Sequence, residues 1–162
     1  MHHDDIAQAV QQLAEQLIQQ SLMVVTAESC TGGGIAQMLT ALAGSSRWFE
    51  RGFVSYSNDA KQDMLGVQAA TLERTGAVSE ETVRAMVAGA VNNSLGDLAV
   101  AVSGVAGPGG GSEDKPVGTV WFAWGNAEQQ ITECCHFPGN REQVRALAVV
   151  HGIQGLCRWL SC

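Results

Sequence analysis

A chain of 162 residues that is 46% apolar and 15% charged is long enough for one domain with a sizeable core and too apolar to remain disordered. Its net charge of −7 excludes a general nucleic-acid or anionic-membrane surface and leaves room only for a local cationic pocket. No apolar run approaches the roughly 18 residues of a spanning helix and no signal peptide is visible, while five cysteines without a spaced framework read as free thiols in a reducing cytoplasm.

Met1-His2-His3 reads as a native start or a tag remnant. From Asp4 to Gln20, residues Ile6, Ala9, Val10, Leu13 and Leu17 recur at helical spacing, which predicts an amphipathic helix capped by Asp4 or Asp5. Leu22 to Val25 is an apolar run that predicts a buried strand. Glu28, Ser29, Cys30 and Thr31 follow, then Gly32-Gly33-Gly34 and a helix to about Ala43 with Ile35, Met38, Leu39 and Leu42 on one side. Gly52 to Ser57 alternates and reads as a short strand carrying Tyr56. Ala60 to Leu65 is expected to be helical with Lys61 in its first turn, and Gln68 to Thr75 is a second short helix closed by Gly76.

Ser79 followed by Glu80 and Glu81 is a strong helix start, with Val83, Met86, Val87, Ala90 and Val91 as the buried face. Leu98 to Val102 reads as a central strand covered on both sides. It leads into a glycine-rich loop, Ser103 to Lys115, that is too rich in glycine for a regular element. Val117 to Gly125 and Gln130 to Phe137 form a hairpin, and Arg141 to Trp159 a last helix with Val144, Leu147, Ala148, Leu156 and Trp159 inward. The order of elements predicts a three-layer α/β/α fold with a mixed sheet, formed as a single domain over residues 1–162.

The strand-turn-helix junction at Ser29 points backbone N–H groups at whatever lies above it. A serine there is a nucleophile or simply a helix cap, as is Thr31, and Cys30 is a competing nucleophile. Bases are scarce: the chain has two lysines, Lys61 and Lys115, and one tyrosine, Tyr56. His136 lies next to Cys135, and His151 lies on the apolar side of the last helix, with no serine-histidine-aspartate spacing. Lys61, lowered by burial, is the candidate base for Ser29, with Tyr56 as a proton relay; its plain alternative is a solvated surface lysine. Cys134 and Cys135 alternate across a strand and cannot chelate one ion without a bulge, and Cys157 and Cys162 lack partners at ligand spacing, so no metal is expected. Neither G-x-G-x-x-G nor G-x-x-x-x-G-K-[ST] occurs. The glycine-rich loop with Ser112 and Lys115, and Arg141 with Arg145, are candidates for holding an anion.

The stretch Ala27-Glu28-Ser29-Cys30-Thr31-Gly32-Gly33 resembles the signature of the CinA C-terminal domain family, the nicotinamide-nucleotide amidases. The likeness continues through Gly44-Ser45-Ser46, Trp48 to Gly52, Tyr56-Ser57-Asn58 with Lys61, Gly76 to Glu80, Ser103 to Pro108, Gly110 to Glu113 and Lys115 to Val120. The resemblance implies hydrolysis of the carboxamide of nicotinamide mononucleotide to nicotinic acid mononucleotide and ammonia, in pyridine nucleotide recycling. It implies a cytoplasmic homo-oligomer with no cofactor, no nucleic acid and no membrane partner, and without the further N-terminal nucleotide-processing domain of some relatives.

It places a serine nucleophile at Ser29, assisted by Lys61 and Tyr56; the junction itself offers Thr31, Gly32 and Gly33 as oxyanion donors. The expected substrate-binding set is Glu28 and Asn58, Gly104, Gly107, Gly110, Ser112 and Lys115 of the loop, and Arg141 with Arg145. The competing expectation is a non-catalytic nucleotide-binding or regulatory module of the same fold.

Overall fold

A computed structural model describes residues 3–161; Met1 and His2 of the start or tag remnant, and Cys162, lie outside the described residues. The elements run α1 (His3–Gln20), β1 (Val24–Glu28), α2 (Gly34–Thr40), a 3-10 turn (Ser45–Arg47), β2 (Phe49–Val54), α3 (Asn58–Leu65), α4 (Ala69–Thr75), α5 (Glu80–Asn92), β3 (Leu98–Gly104), β4 (Thr119–Gly125), β5 (Gln130–His136) and α6 (Arg141–Ser161). Asp4 and Asp5 fall inside the first turn of α1, where their charge favours the positive end of the helix.

Among the described residues the sheet has the order β2-β1-β3-β4-β5. β1 is parallel to both of its neighbours, whereas β4 and β5 return antiparallel as the expected hairpin. Each central strand alternates between two cores. Leu98, Val100 and Val102 of β3, with Val120, Phe122 and Trp124 of β4, pack with α1, α2 and α6; Ala99 and Ala101 pack with α5. This is the three-layer α/β/α arrangement with a mixed sheet. Among the buried apolar residues of β3 and β4, alanines face the α5 side and larger residues face the other. Trp124 settles against α6 with its indole N–H on the Gly152 carbonyl at 2.9 Å, and a Cβ at Gly155 would fall within 2.0 Å of that ring.

Three expectations move. The second strand runs from Phe49 to Val54 rather than Gly52 to Ser57, because its register is set by pairing with β1 (Val25 opposite Arg51, Thr26 opposite Gly52) and not by its own alternation. β1 continues past Val25 to Glu28, buried throughout. Leu147, expected inward, is exposed at the surface of α6. No helix among the described residues is long and apolar enough to cross a membrane.

Candidate active site

The end of β1 is clamped on both sides. Ser29 donates its backbone N–H to the Val102 carbonyl at 3.0 Å, and Ser55 donates to the Glu28 carbonyl at 2.9 Å. Ser29 therefore leaves the sheet at the carboxyl end of the parallel strands, where ligands of open α/β sheets collect. Glu28 is fully buried and points back under the turn. Its carboxylate accepts from the Thr31 hydroxyl at 2.6 Å, from Ile35 N at 2.8 Å and from Ala36 N at 3.0 Å. Two of the N–H groups that open α2 are thus satisfied from the preceding strand. Neither Ser29 nor Thr31 caps the helix, and Gly33 at the N-cap position offers no side chain. Glu28, expected in the substrate-binding set, supports the turn from below instead.

The glycine run has a conformational reason. Gly32 and Gly33 have φ of 60° and 101°, left-handed values that cost a side chain energy. The Gly32 N–H is taken by the Ser29 carbonyl at 3.0 Å. From the far side, Arg145 braces the same turn, Nε on the Cys30 carbonyl at 3.0 Å and Nη2 on the Thr31 carbonyl at 3.3 Å.

Lys61 enters from α3. Ser57 caps that helix by accepting from Ala60 N, which places Lys61 one turn in. Its side chain is 1% exposed, with Nζ 3.0 Å from Ser29 Oγ and 2.9 Å from the Tyr56 carbonyl oxygen. Ser29 Oγ lies 3.3 Å from that same carbonyl. Burial pushes the Lys61 amine below the ordinary lysine range, a shift opposed by the nearby Cys30 thiol. Expected as a relay, the Tyr56 phenol turns away: it is 57% exposed and meets Arg141 Nη2 at 3.3 Å. The main chain of Tyr56, not its side chain, faces the Ser29–Lys61 pair.

These groups line a cavity of about 320 Å³, at the lower end of small-molecule sites. Of the expected residues, Ser29, Tyr56, Asn58, Lys61, Gly104, Gly107, Gly110 and Arg141 are on its walls. Thr31, Gly32, Gly33, Ser112, Lys115 and Arg145 are not among the lining residues. Lys115 Nζ instead donates to the Thr75 carbonyl at 2.7 Å. Arg141 spans the cavity mouth, with Nη1 on the Gly107 carbonyl at 2.8 Å. Ala77 and Val78, given no role by the sequence, also line the cavity, as do Ser103, Val105, Ala106 and Gly109 of the glycine-rich loop, which the sequence does not single out as individual residues. The signal for Ala77 and Val78 is the motif stretch Gly76 to Glu80.

Cys30 also lines the cavity, but burial drives its thiol up to about 11, with the Glu28 carboxylate adding to the effect. A thiol held protonated is a poor nucleophile. Cys30→Ala is expected to keep turnover within about an order of magnitude of wild type, since it removes one small buried group; steady-state assay of the purified variant checks this.

The arrangement presents a hydroxyl, an amine that burial pushes below the ordinary lysine range and a cationic mouth, a set suited to acyl transfer on an anionic substrate. The family model described as CinA C-terminal domain matches residues 6–160 of the chain. The nicotinamide-nucleotide amidohydrolase PncC of Escherichia coli (strain K12) is 49% identical over 157 residues, covering 96% of this chain and 95% of that protein. The protein of the same name from Pseudomonas putida is 51% identical over 153 residues, covering 94% and 96%. Among solved structures, the competence/damage inducible protein CihA from Agrobacterium tumefaciens superposes with a TM-score of 0.93 at 43% identity, covering 98% of this chain and 96% of that one.

Proposed function

The chain belongs to the CinA C-terminal domain family, and from that footing we propose that it is an amidohydrolase converting nicotinamide mononucleotide and water to nicotinic acid mononucleotide and ammonia, with Ser29 as nucleophile and Lys61 as base. The observation that carries the mechanism is the 3.0 Å contact between Lys61 Nζ and Ser29 Oγ in the cavity wall. The relatives named nicotinamide-nucleotide amidohydrolase support the substrate.

In this reading the neutral Lys61 amine takes the Ser29 proton as Oγ attacks the carboxamide carbon. The Tyr56 carbonyl holds one amine hydrogen, which turns the nitrogen lone pair toward Oγ. The tetrahedral intermediate collapses when the Lys61 ammonium returns its proton to the leaving nitrogen, and ammonia departs. Water, deprotonated by the same amine, then releases the acyl group and restores Ser29. The oxyanion is assigned to backbone N–H groups of residues that line the cavity, Cys30 directly after the nucleophile and Ala106 with Gly107. Arg141 takes the phosphate at the mouth. The reaction serves pyridine nucleotide recycling.

The direct experiment is ammonia release from nicotinamide mononucleotide followed across pH. kcat/KM is expected to rise with pH and level off once Lys61 is neutral, with its midpoint below the ~10.4 of a free lysine, because burial lowers the Lys61 pKa. Between the folded and unfolded pKa values of Lys61 the unfolded chain binds more protons. Stability therefore rises with pH in that window and stays at its lower level beneath the folded value. A pH-independent rate would remove Lys61 as the base. Tight binding of the mononucleotide with no ammonia released would favour the non-catalytic module.

A further inference from the structure

Away from the cavity, the face of β5 turned toward α6 carries a second group of chemically active side chains. Glu133 and Cys135 are two residues apart on the strand and so share a face. His151 reaches them from the middle of α6. Cys135 Sγ lies 3.4 Å from His151 Nε2 and 3.4 Å from Glu133 Oε1. His151 Nε2 lies 3.0 Å from that same oxygen, and all three donor atoms fall within 4.8 Å of one another. We propose that Glu133, Cys135 and His151 form a binding site for a thiophilic divalent transition metal, zinc above all, that ties the edge strand to the last helix.

Three observations support this assignment. The first is spacing. Zinc bonds of about 2.3 Å to sulfur and about 2.0–2.2 Å to nitrogen and oxygen, set tetrahedrally, put the donor atoms about 3.3–3.6 Å apart. The apo spacings are within a few tenths of an ångström of that. The second is the surrounding support. The other Glu133 oxygen faces Arg158 Nη2 at 3.6 Å, which leaves Oε1 for the ion, and the His151 ring is fixed among Phe122, Trp124 and Phe137 with centroid distances of 4.8, 5.8 and 5.8 Å. Outer partners of this kind orient metal ligands.

The third is chemistry. One thiolate, one neutral imidazole and one carboxylate balance a divalent charge, and this donor set favours zinc over magnesium or calcium. Binding breaks the Cys135 S–H bond and forms a sulfur–metal bond. The proton goes to solvent, since a free thiol is protonated at neutral pH. Partial exposure of the His151 and Glu133 side chains, 19% and 43%, leaves the fourth position to water. Spacing alone missed the site: it paired Cys134 with Cys135, while the third donor arrives from a different element 16 residues on.

The test is titration of the EDTA-dialysed protein with cobalt(II) and with zinc. Expected are one equivalent bound, a thiolate-to-cobalt charge-transfer band, about one proton released per ion and a rise in Tm with zinc. Cys135→Ser and His151→Gln should each weaken binding by at least about a hundredfold, and Cys135→Ser should lose the charge-transfer band. Cys134→Ser, on the opposite face of the strand, and the His2→Ala/His3→Ala double variant should bind as wild type does. Should His151→Gln fail to fold, Cys135→Ser carries the test, since it exchanges a single atom. No stoichiometric uptake, a band that survives Cys135→Ser, or binding that vanishes with His2 and His3 would each overturn the proposal and leave the cluster as a histidine–glutamate pair with a thiol beside it.

Discussion

Ser29→Ala is expected to lower ammonia release from nicotinamide mononucleotide by at least about a thousandfold, and Lys61→Ala or Lys61→Arg to cost nearly as much. On the proposed mechanism the two side chains act as a unit: Oγ would gain nucleophilicity only as its proton moves to the amine 3.0 Å away. The double variant is therefore expected to be no worse than either single one. Arginine at position 61 keeps the charge but cannot give up a proton at any working pH. Activity in Lys61→Arg would show that lysine serves as a fixed cation rather than a base. Substrate affinity measured by calorimetry should change much less than turnover, because neither group is assigned to the phosphate. A Ser29→Ala enzyme with wild-type kcat would end the nucleophile assignment outright.

The second large effect is on stability. Glu28→Ala is expected to destabilise the fold by ~3–5 kcal/mol, read as a shift in the denaturant midpoint at constant m. The carboxylate holds three donors in a region closed to water, and alanine leaves all three without an acceptor. Glu28→Gln is milder, about 1–3 kcal/mol: the amide oxygen can keep Thr31 and Ile35, but its NH2 then opposes the Ala36 N–H. Both variants should also lose turnover, because the turn they loosen carries Ser29. A midpoint unchanged in Glu28→Ala would mean that water reaches the three donors.

Local patterns were the legible part of this chain. Ser79 with its two acids starts α5 where expected, Gly66 and Gly76 close α3 and α4, and the hairpin of β4 and β5 lies at its turn signal. Such features depend on neighbours in sequence. The displaced strand at Phe49–Val54 depends instead on a partner: at a sheet edge, Arg51 and even Val54 face water, so hydrophobic alternation carries little information there. The site divides in the same way. Ser29 and Lys61 could be nominated from residue chemistry, yet 32 positions separate them, and only the packing of α3 beside the end of β1 brings them together.

Nothing in the local sequence says that β1 continues through Glu28 and buries it, so its chemistry alone suggests a contact for substrate. The glycine run alone suggests an opening for an oxyanion; its left-handed φ values and the bond from Gly32 to Ser29 show a turn built to double back on itself. Charge points Arg145 toward the substrate, and charge together with the family's glycine-rich loop points Lys115 there. Their hydrogen bonds to backbone carbonyls are invisible without coordinates.

The Tyr56 carbonyl has a consequence for how this site would look to genetics. Ser29 and Lys61 are both referred to one main-chain oxygen, which every amino acid at position 56 would supply. On the proposed mechanism a saturation scan would thus report a two-member machinery and score Tyr56 only for what its exposed ring does at Arg141. The third member of the set is encoded in the path of the chain between β2 and α3. It would be seen only by changing that path, through an insertion, a deletion or a backbone ester.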